Sequence, residues 1–404
     1  MKIDLKKLAN DLIFISALFY FSSSFLCITF SWGKYAMLLS VFACVLFYCI
    51  SNGWKITLQV ESYHRHIYAI TLFFFCSCLW AWNLGEALSK SITLLEISIC
   101  MTLLYMCFSN IENGERMLAK IIIFAGYAEW IFLVFYYGLG TIMNSSIRLS
   151  GDVGNANYIG MLMAMSIITT VYFILFEEFK VYYIFSVVNI YFLAISQSRT
   201  ALIGTVVGVF ILLILKCLEQ RHFLNIILNA TLYFGVFILA VYFLSKASMF
   251  EEMNDRIHNL IVAFTGQGTM LNGERSVSIR ETMIEAGIEQ FKSNPILGIG
   301  IGNGFNISLI AVGRNTYLHN NFIEILVDVG IVGFALYYSF YFSLIKNIAR
   351  NYRYRTKMCY LVVALMASQL LMDYGSVSYY MKDTYYYLMF YYIVLRNMKN
   401  TYSM

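Results

Sequence analysis

The sequence predicts an all-α polytopic membrane protein of about twelve transmembrane helices, with one large extracytoplasmic loop that contains helix of its own. Three observations predict it. The 404 residues are 60% hydrophobic and only 13% charged, which is more apolar side chain than the interior of a soluble globule can take in. Apolar runs of roughly 17–25 residues, the length a helix needs to cross a bilayer core, recur from one end of the chain to the other. Short alternating strands, the mark of a membrane barrel, do not.

Taken in order, the runs place spans at 11–30, 35–50, 67–83, 91–108, 118–137, 156–176, 181–196, 200–216, 223–244, 320–345, 358–375 and 383–396. The first run is read as a retained anchor, because it is long, lacks a small-residue cleavage pattern and is followed at once by another apolar run. All nine cysteines fall in or beside apolar runs, so a disulfide framework or zinc site is not expected, and they are read as packing residues. Basic residues set the orientation, since Lys and Arg are retained on the cytoplasmic side. With the N-terminus inside, Lys2, Lys6, Lys7, Lys55, Arg65, Arg116, Lys180, Lys216, Arg221, the cluster from Lys346 to Lys357, Arg396 and Lys399 are cytoplasmic. The opposite short loops hold only Lys34, Lys90, Arg148, Arg199 and Lys382. Both termini are therefore expected in the cytoplasm. The basic cluster is explained by topology and lipid headgroups, and no nucleic-acid partner is expected.

Residues 245–318 break the rhythm with mixed polarity and the chain's one proline, Pro295. The expected organisation is a first membrane block over 1–244, this loop over 245–318, and a second membrane block with the C-terminus over 319–404. Within the loop, Ile279, Met283, Ile284 and Ile288 recur at helical spacing, which predicts an amphipathic helix over 276–291, ended by Pro295 and the glycines after it. Those glycines, Gly298, Gly300, Gly302 and Gly304, resemble a dinucleotide fingerprint on paper but lack the strand-turn-helix setting. They are read as permitting a tight turn or a close backbone approach.

Four polar sites are placed by this topology at one membrane face. They are Arg148 in Arg148-Leu149-Ser150-Gly151, Arg199 in the tight turn Ser198-Arg199-Thr200, Arg280 in the loop helix with Arg275 just ahead of that helix, and His319 with Asn320 at the mouth of the tenth span. An arginine in a tight apolar hairpin is costly unless it faces a polar cavity or an anion; snorkelling to a headgroup is the bland alternative. Glu324 and Asp328 lie four residues apart on one helix face and are read as partners of the arginines inside a polar interior. Fixed guanidiniums suit phosphate, and an imidazole can accept a proton from a hydroxyl nucleophile. Together they suggest attack on a centre whose leaving group is a diphosphate, with arginine charge stabilising its departure. Asp152 is a lone acid, so no metal site and no cofactor is expected.

The pieces Arg148-Leu149-Ser150-Gly151 with Gly154-Asn155-Ala156-Asn157, then Ser198-Arg199-Thr200-Ala201, then Arg280 ahead of Asn294-Pro295-Ile296-Leu297-Gly298-Ile299-Gly300, then His319-Asn320 ahead of Gly330-Ile331-Val332-Gly333, follow one another in a specific order. In this the chain resembles the O-antigen ligase and O-antigen polymerase superfamily of bacterial envelope glycosyltransferases, in motif over residues 145–335 and in span pattern throughout. The resemblance implies a metal-independent, inverting transfer of glycan from undecaprenyl diphosphate to an acceptor hydroxyl, at the periplasmic face of the bacterial inner membrane. By position, His319, Arg199 and Arg280 would be catalytic, and Arg148, Asn157, Arg275, Arg314 and Asn320 would bind substrate. The expected partners are the undecaprenyl-diphosphate-linked oligosaccharide, an acceptor glycolipid, membrane lipid and a chain-length regulator. Polymerase is favoured over ligase on the look of the Arg148 and Asn294 pieces. A transporter of the same glycolipids is the rival from another class, but the two related halves that it would show are not visible. An envelope scaffold would not need four convergent polar sites.

Overall fold

The computed structural model describes residues 5–26, 30, 32–55, 60–144, 155–219, 235, 274–350 and 356–400. Among them the chain is helical, with no strand. The helices are α1 (Leu5–Leu26), α2 (Gly33–Ser51), α3 (Ser62–Cys76), α4 (Leu84–Ser109), α5 (Gly114–Tyr137), α6 (Leu139–Asn144), α7 (Ala156–Phe176), α8 (Ser186–Ile195), α9 (Arg199–Leu218), α10 (Glu274–Ser293), α11 (Gly304–Val312), α12 (Asn321–Arg350), α13 (Met358–Met372) and α14 (Lys382–Asn400). Against the expectation of about twelve spans, six of the described helices are long and apolar enough to cross a bilayer: α2, α4, α5, α7, α9 and α12. Residue 235 apart, the expected span 223–244 and loop residues 245–273 lie outside the described residues.

The boundaries that moved did so for local reasons. The third run starts five positions before the apolar stretch, at Ser62, because Glu61 caps it: the Glu61 N–H donates to His64 Nδ1 at 3.0 Å while the Glu61 side chain takes a first-turn amide. It ends at Cys76, where a single tight turn, Ser77–Leu79, hands the chain to α4. The expected span 181–196 shortens to α8 because residues 181–185 wind as a tighter helix before it.

Helix packing depends on small residues, as in lipid, where apolar surface alone gives helices no reason to associate. α7 is the most enclosed of the six spans, 83% buried, and its Gly160 meets Ser196, Ser198 and Ala201 at the α8–α9 corner. Gly204 of α9 meets Met372 of α13, and Gly208 meets Ser368 and Ile168. A larger side chain at either glycine would drive α9 off its neighbours. Three buried threonine hydroxyls donate to the carbonyl one turn back, Thr71 to Ile67, Thr169 to Met165 and Thr205 to Ala201.

The amphipathic helix expected over 276–291 is α10, Glu274–Ser293. Its contact stripe runs through Ile279, Met283 and Ala286, with Met283 buried in a small core with Ile299, Ile307, Leu318 and Val327. Ile288, expected on that stripe, is 37% exposed. The approach is set by Gly287 instead, where an added Cβ would lie 2.7 Å from Ile323.

After α10 the chain makes the turn that the glycines foreshadow, and α12 is broken to receive it. Gly330 leaves helical geometry at φ 64°, ψ −169°, which frees the Val327 and Asp328 carbonyls. Ile299 N and Gly300 N donate to them at 3.0 and 2.8 Å, while Ile331 N and Val332 N donate to the carbonyls of Pro295 and Ile296 at 2.9 and 3.3 Å. Four backbone groups that a break would leave unsatisfied, at several kcal/mol each in hydrocarbon, are thus paired. On its other side the glycine turn is held by the corner ahead of α4: Trp82 N donates to the Ile299 carbonyl at 3.0 Å and Asn83 N to Asn303 Oδ1 at 2.7 Å.

Candidate functional site

The first turns of α4, α7, α9, α12 and α14 gather at one end of the bundle. Tyr158 donates to the Val377 carbonyl ahead of α14, Gly375 rests on Thr200, and Asn155 reaches Tyr317 ahead of α12. Of the residues that the sequence reading put at one membrane face, Arg199, His319 and Asn320 lie in or beside these first turns.

The segment entering α12 is fixed from both sides. Asn320 caps the helix, its Oδ1 accepting from Phe322 N at 3.0 Å and Ile323 N at 3.1 Å. The fully buried Glu324 reaches back from the first turn, and Leu318 N donates to its carboxylate at 2.6 Å. Between these restraints His319 is held at φ 58°, in the left-handed region. For a residue other than glycine that conformation costs about 1 kcal/mol or more and persists only where its surroundings impose it. The imidazole of this half-buried histidine packs on Tyr317, ring centroids 4.3 Å apart.

Tyr317 ties three elements together. Its hydroxyl accepts from Asn155 Nδ2 at 2.8 Å, and Asn155 is itself the cap of α7, taking the Asn157 N–H at 2.9 Å. Burial raises the pKa of the phenol above the ordinary tyrosine value; the Asn155 hydrogen bond and the charge of Arg280 on α10 work against that rise. Arg280 is therefore within electrostatic reach of the ring on which His319 packs. Neither Tyr317 nor Asn155 was singled out from the sequence. The available signal was an aromatic residue two positions before the histidine, and an Asn immediately before a helical run.

Glu324 and Asp328 correct the expectation that they pair with arginines. Asp328 accepts from Gly302 N at 2.8 Å and Gly304 N at 2.7 Å, and the Tyr379 hydroxyl donates to it as well. Its carboxylate clamps the glycine turn to α12. A second clamp sits beside it: the Asn321 side-chain oxygen accepts from Ser378 N and Tyr379 N at 2.9 and 3.0 Å, its amide donates to Asp373, and Ser378 Oγ donates to the same carboxylate. The loop before α14 is thereby locked to the turn that carries His319.

The other residues read as site members are distributed as follows. Arg199 is the first residue of α9, half-buried, in a turn whose Ser198 Oγ caps Ala201 N at 3.4 Å. That turn packs on α7 at Gly160, one turn beyond the buried Asn157. Arg275, expected ahead of the loop helix, is inside α10 as its second residue. Arg314 is exposed in the segment between α11 and His319. Arg148 lies outside the described residues.

A cation read from the sequence only as an orientation marker has a larger part. Lys90, six residues into α4, sends its Nζ over the rings of Tyr380 at 4.1 Å and Phe305 at 5.2 Å. Its stem covers Gly302, where an added Cβ would lie 2.7 Å from Lys90 Cγ. The lysine thus stands on the glycine turn that Asp328 holds. Among the described residues, no group of three or more His, Cys, Asp or Glu could hold a metal ion.

Residues 184–338 match the family model described as O-Antigen ligase. The matched stretch runs from the approach to α8 into α12 and includes Arg199, Arg280, Tyr317, His319 and Asp328. The match covers less than half of the chain and is consistent with the O-antigen polymerase and ligase superfamily. No curated protein matches the chain.

Proposed function

We propose, with the match of residues 184–338 to the O-antigen ligase family model as the premise, that this chain transfers a glycan from a lipid diphosphate to an acceptor hydroxyl at the outer face of a bacterial inner membrane. The donor is an undecaprenyl-diphosphate-linked oligosaccharide, and both termini are cytoplasmic. The observation that carries the reading is the meeting of the strained His319 with Tyr317, Asn155 and the field of Arg280, at the junction of α7, α10 and α12.

In this mechanism the imidazole of His319 takes the proton of the acceptor hydroxyl as its oxygen attacks the anomeric carbon. The bond from that carbon to the diphosphate oxygen breaks, the electron pair leaves on the diphosphate, and the anomeric centre inverts. Arg199 and Arg280 stabilise the charge growing on the leaving group, the role in which a planar, permanently charged donor fork serves best. Arg148, Arg275, Arg314, Asn157 and Asn320 bind substrate, and a chain-length regulator is a further partner. The reaction as written draws on no metal.

The acceptor is another lipid-linked repeat unit, which makes the protein a polymerase. The ligase reading, in which the finished glycan passes to lipid A core, is kept because the matching family model bears that description. Lipopolysaccharide from a deletion strain separates the two. A single repeat unit on the core, restored to long chains by the wild-type chain but not by His319→Ala, is the polymerase outcome. Bare core with accumulated lipid-linked polymer is the ligase outcome. An unchanged lipopolysaccharide profile contradicts both.

A further inference from the structure

The turn between α10 and α11 lies deeper than a loop in water would. α3, with 15 residues, rises about 22 Å, less than a hydrocarbon core of roughly 30 Å. The glycine turn takes the place of the missing helical turns: Ile301 N donates to Ser77 Oγ and Trp80 Nε1 to the Leu297 carbonyl, each at 3.0 Å. Ser91 on α4 fixes the level. Its Oγ lies 3.4 Å from Cys78 Sγ and donates to the Phe74 carbonyl at 3.4 Å. Ser91 is about 8 Å from the midpoint of α4 toward the His319 end, and half the hydrocarbon is about 15 Å. Gly330, which receives the turn, is about 8 Å from the midpoint of α12 in the same direction. Both helices set the turn level with hydrocarbon, after the exposed Lys292–Glu289 pair that closes α10.

Irregular backbone is tolerated at that level only where its polar groups are paired. Each N–H from Gly298 to Gly304 has an acceptor: the carbonyls of Asn294, Val327, Asp328 and Gly300, Ser77 Oγ, and the Asp328 carboxylate. The carbonyls of Pro295, Ile296, Leu297, Ile299, Gly300 and Ile301 all accept in turn. A surface loop would leave many such groups to water. The side chains turned outward are apolar. Leu79 is 87% exposed and Ile296 63%, and Leu297, Ile331 and Val332 are exposed beside them. A contiguous apolar surface of this kind needs a cover, and the paired backbone leaves it only apolar contact to offer.

We propose that residues 294–303 form a re-entrant segment, with Ile296 and Leu297 lying, beside Leu79, Ile331 and Val332, against the lipid acyl chains of the leaflet at the His319 end. This part of the segment expected outside the membrane is then within it, and Asp328 and Lys90 hold a membrane-embedded turn. The placement does not depend on what the chain transfers.

Two measurements on the full chain in phosphatidylcholine nanodiscs test this. A phosphatidylcholine carrying a diazirine in its acyl chain, photolysed in the disc, labels wild-type Ile296 or Leu297, located by peptide sequencing, and not Asn315, which is exposed in the segment before His319. Ile296→Cys reacts with a charged maleimide at least about tenfold more slowly than Asn315→Cys, because only the thiolate attacks and a thiol in apolar surroundings resists ionisation. In dodecyl sulfate the two react alike, and the wild type supplies the background of the nine native cysteines. Reaction of Ile296→Cys as fast as that of Asn315→Cys overturns the proposal, since the turn then faces water. Slow reaction without photolabelling also overturns it, since another helix or a second copy then covers the face. Should Ile296→Cys fail to insert, photolabelling of the wild type decides alone.

Discussion

Tyr317 shows how much rests on single side chains at this end of the bundle. Tyr317→Phe keeps the ring against His319 and removes the acceptor of Asn155. One hydrogen bond of about 1 kcal/mol corresponds to about fivefold, so transfer should slow by roughly that factor with thermal stability little changed. A variant as fast as wild type would detach Tyr317 from positioning. The direction of its titration adds a pH test. Because burial raises its folded pKa, the phenol contributes stability below the ordinary tyrosine value, lost only as pH rises through the still higher folded value. Tyr317 therefore stays neutral through the physiological range, and any acidic limb of a pH–rate profile should survive in Tyr317→Phe. Arg199→Lys keeps the charge but loses the planar fork; a fall in turnover of about tenfold or more is expected in a reconstituted assay, and normal turnover would favour snorkelling. Asp328→Ala strands the buried amides of Gly302 and Gly304, at about 1–3 kcal/mol each, and should lower the thermal midpoint markedly.

The partners of these side chains were not legible in the sequence. Glu324 and Asp328 sit four apart on one face, as the spacing said, but what a buried carboxylate accepts from is decided by the chain brought to it. That chain is the turn at residues 300–304, more than twenty positions upstream of Asp328. Lys90 was hidden for the same reason: in the sequence it is one basic residue at a span boundary, and only the packing of α4 against the glycine turn sets it over Tyr380 and Phe305.

Among elements, α12 carries the most consequence. Its break at Gly330 lets the turn after α10 exchange backbone hydrogen bonds with the helix, and the same half-helix presents His319. An alanine at Gly330 would put a Cβ 2.3 Å from the Ile296 carbonyl, in a backbone region that only glycine occupies readily. Gly330→Ala should cost about 3 kcal/mol or more, seen as a lower midpoint and lower yield of folded protein; full stability would show that the break is not required. Here the sequence was informative. A helix over 276–291 stopped by Pro295 appears as Glu274–Ser293, and the glycines read as allowing close backbone approach do so at Gly298 and Gly300. Local signals of this kind, a stripe, a proline, a run of glycines, are written in consecutive residues and survive folding. Span ends were less legible, since a cap such as Glu61 or a tight turn such as Ser77–Leu79 overrides hydropathy.

For the whole molecule, composition and run length were enough to establish a multi-pass membrane protein, and the ordered motifs pointed to the family that the match over residues 184–338 supports. The arrangement suits a division of labour. α7, α9 and α13 form a tightly packed scaffold through Gly160, Gly204 and Gly208, while the residues proposed as reactive, Arg199, Arg280 and His319, sit on helix starts and turns. Rigid helices that present reactive groups from their ends hold such groups more closely than loops could.

The most direct measurement is release of undecaprenyl diphosphate from a purified lipid-linked glycan donor by the full chain in nanodiscs, with acceptor present, compared between wild type and His319→Ala at matched thermal stability. The account predicts glycosylated product and diphosphate release in equal amounts from the wild type, and a rate at least about a hundredfold lower from His319→Ala. Release by His319→Ala at the wild-type rate would contradict it.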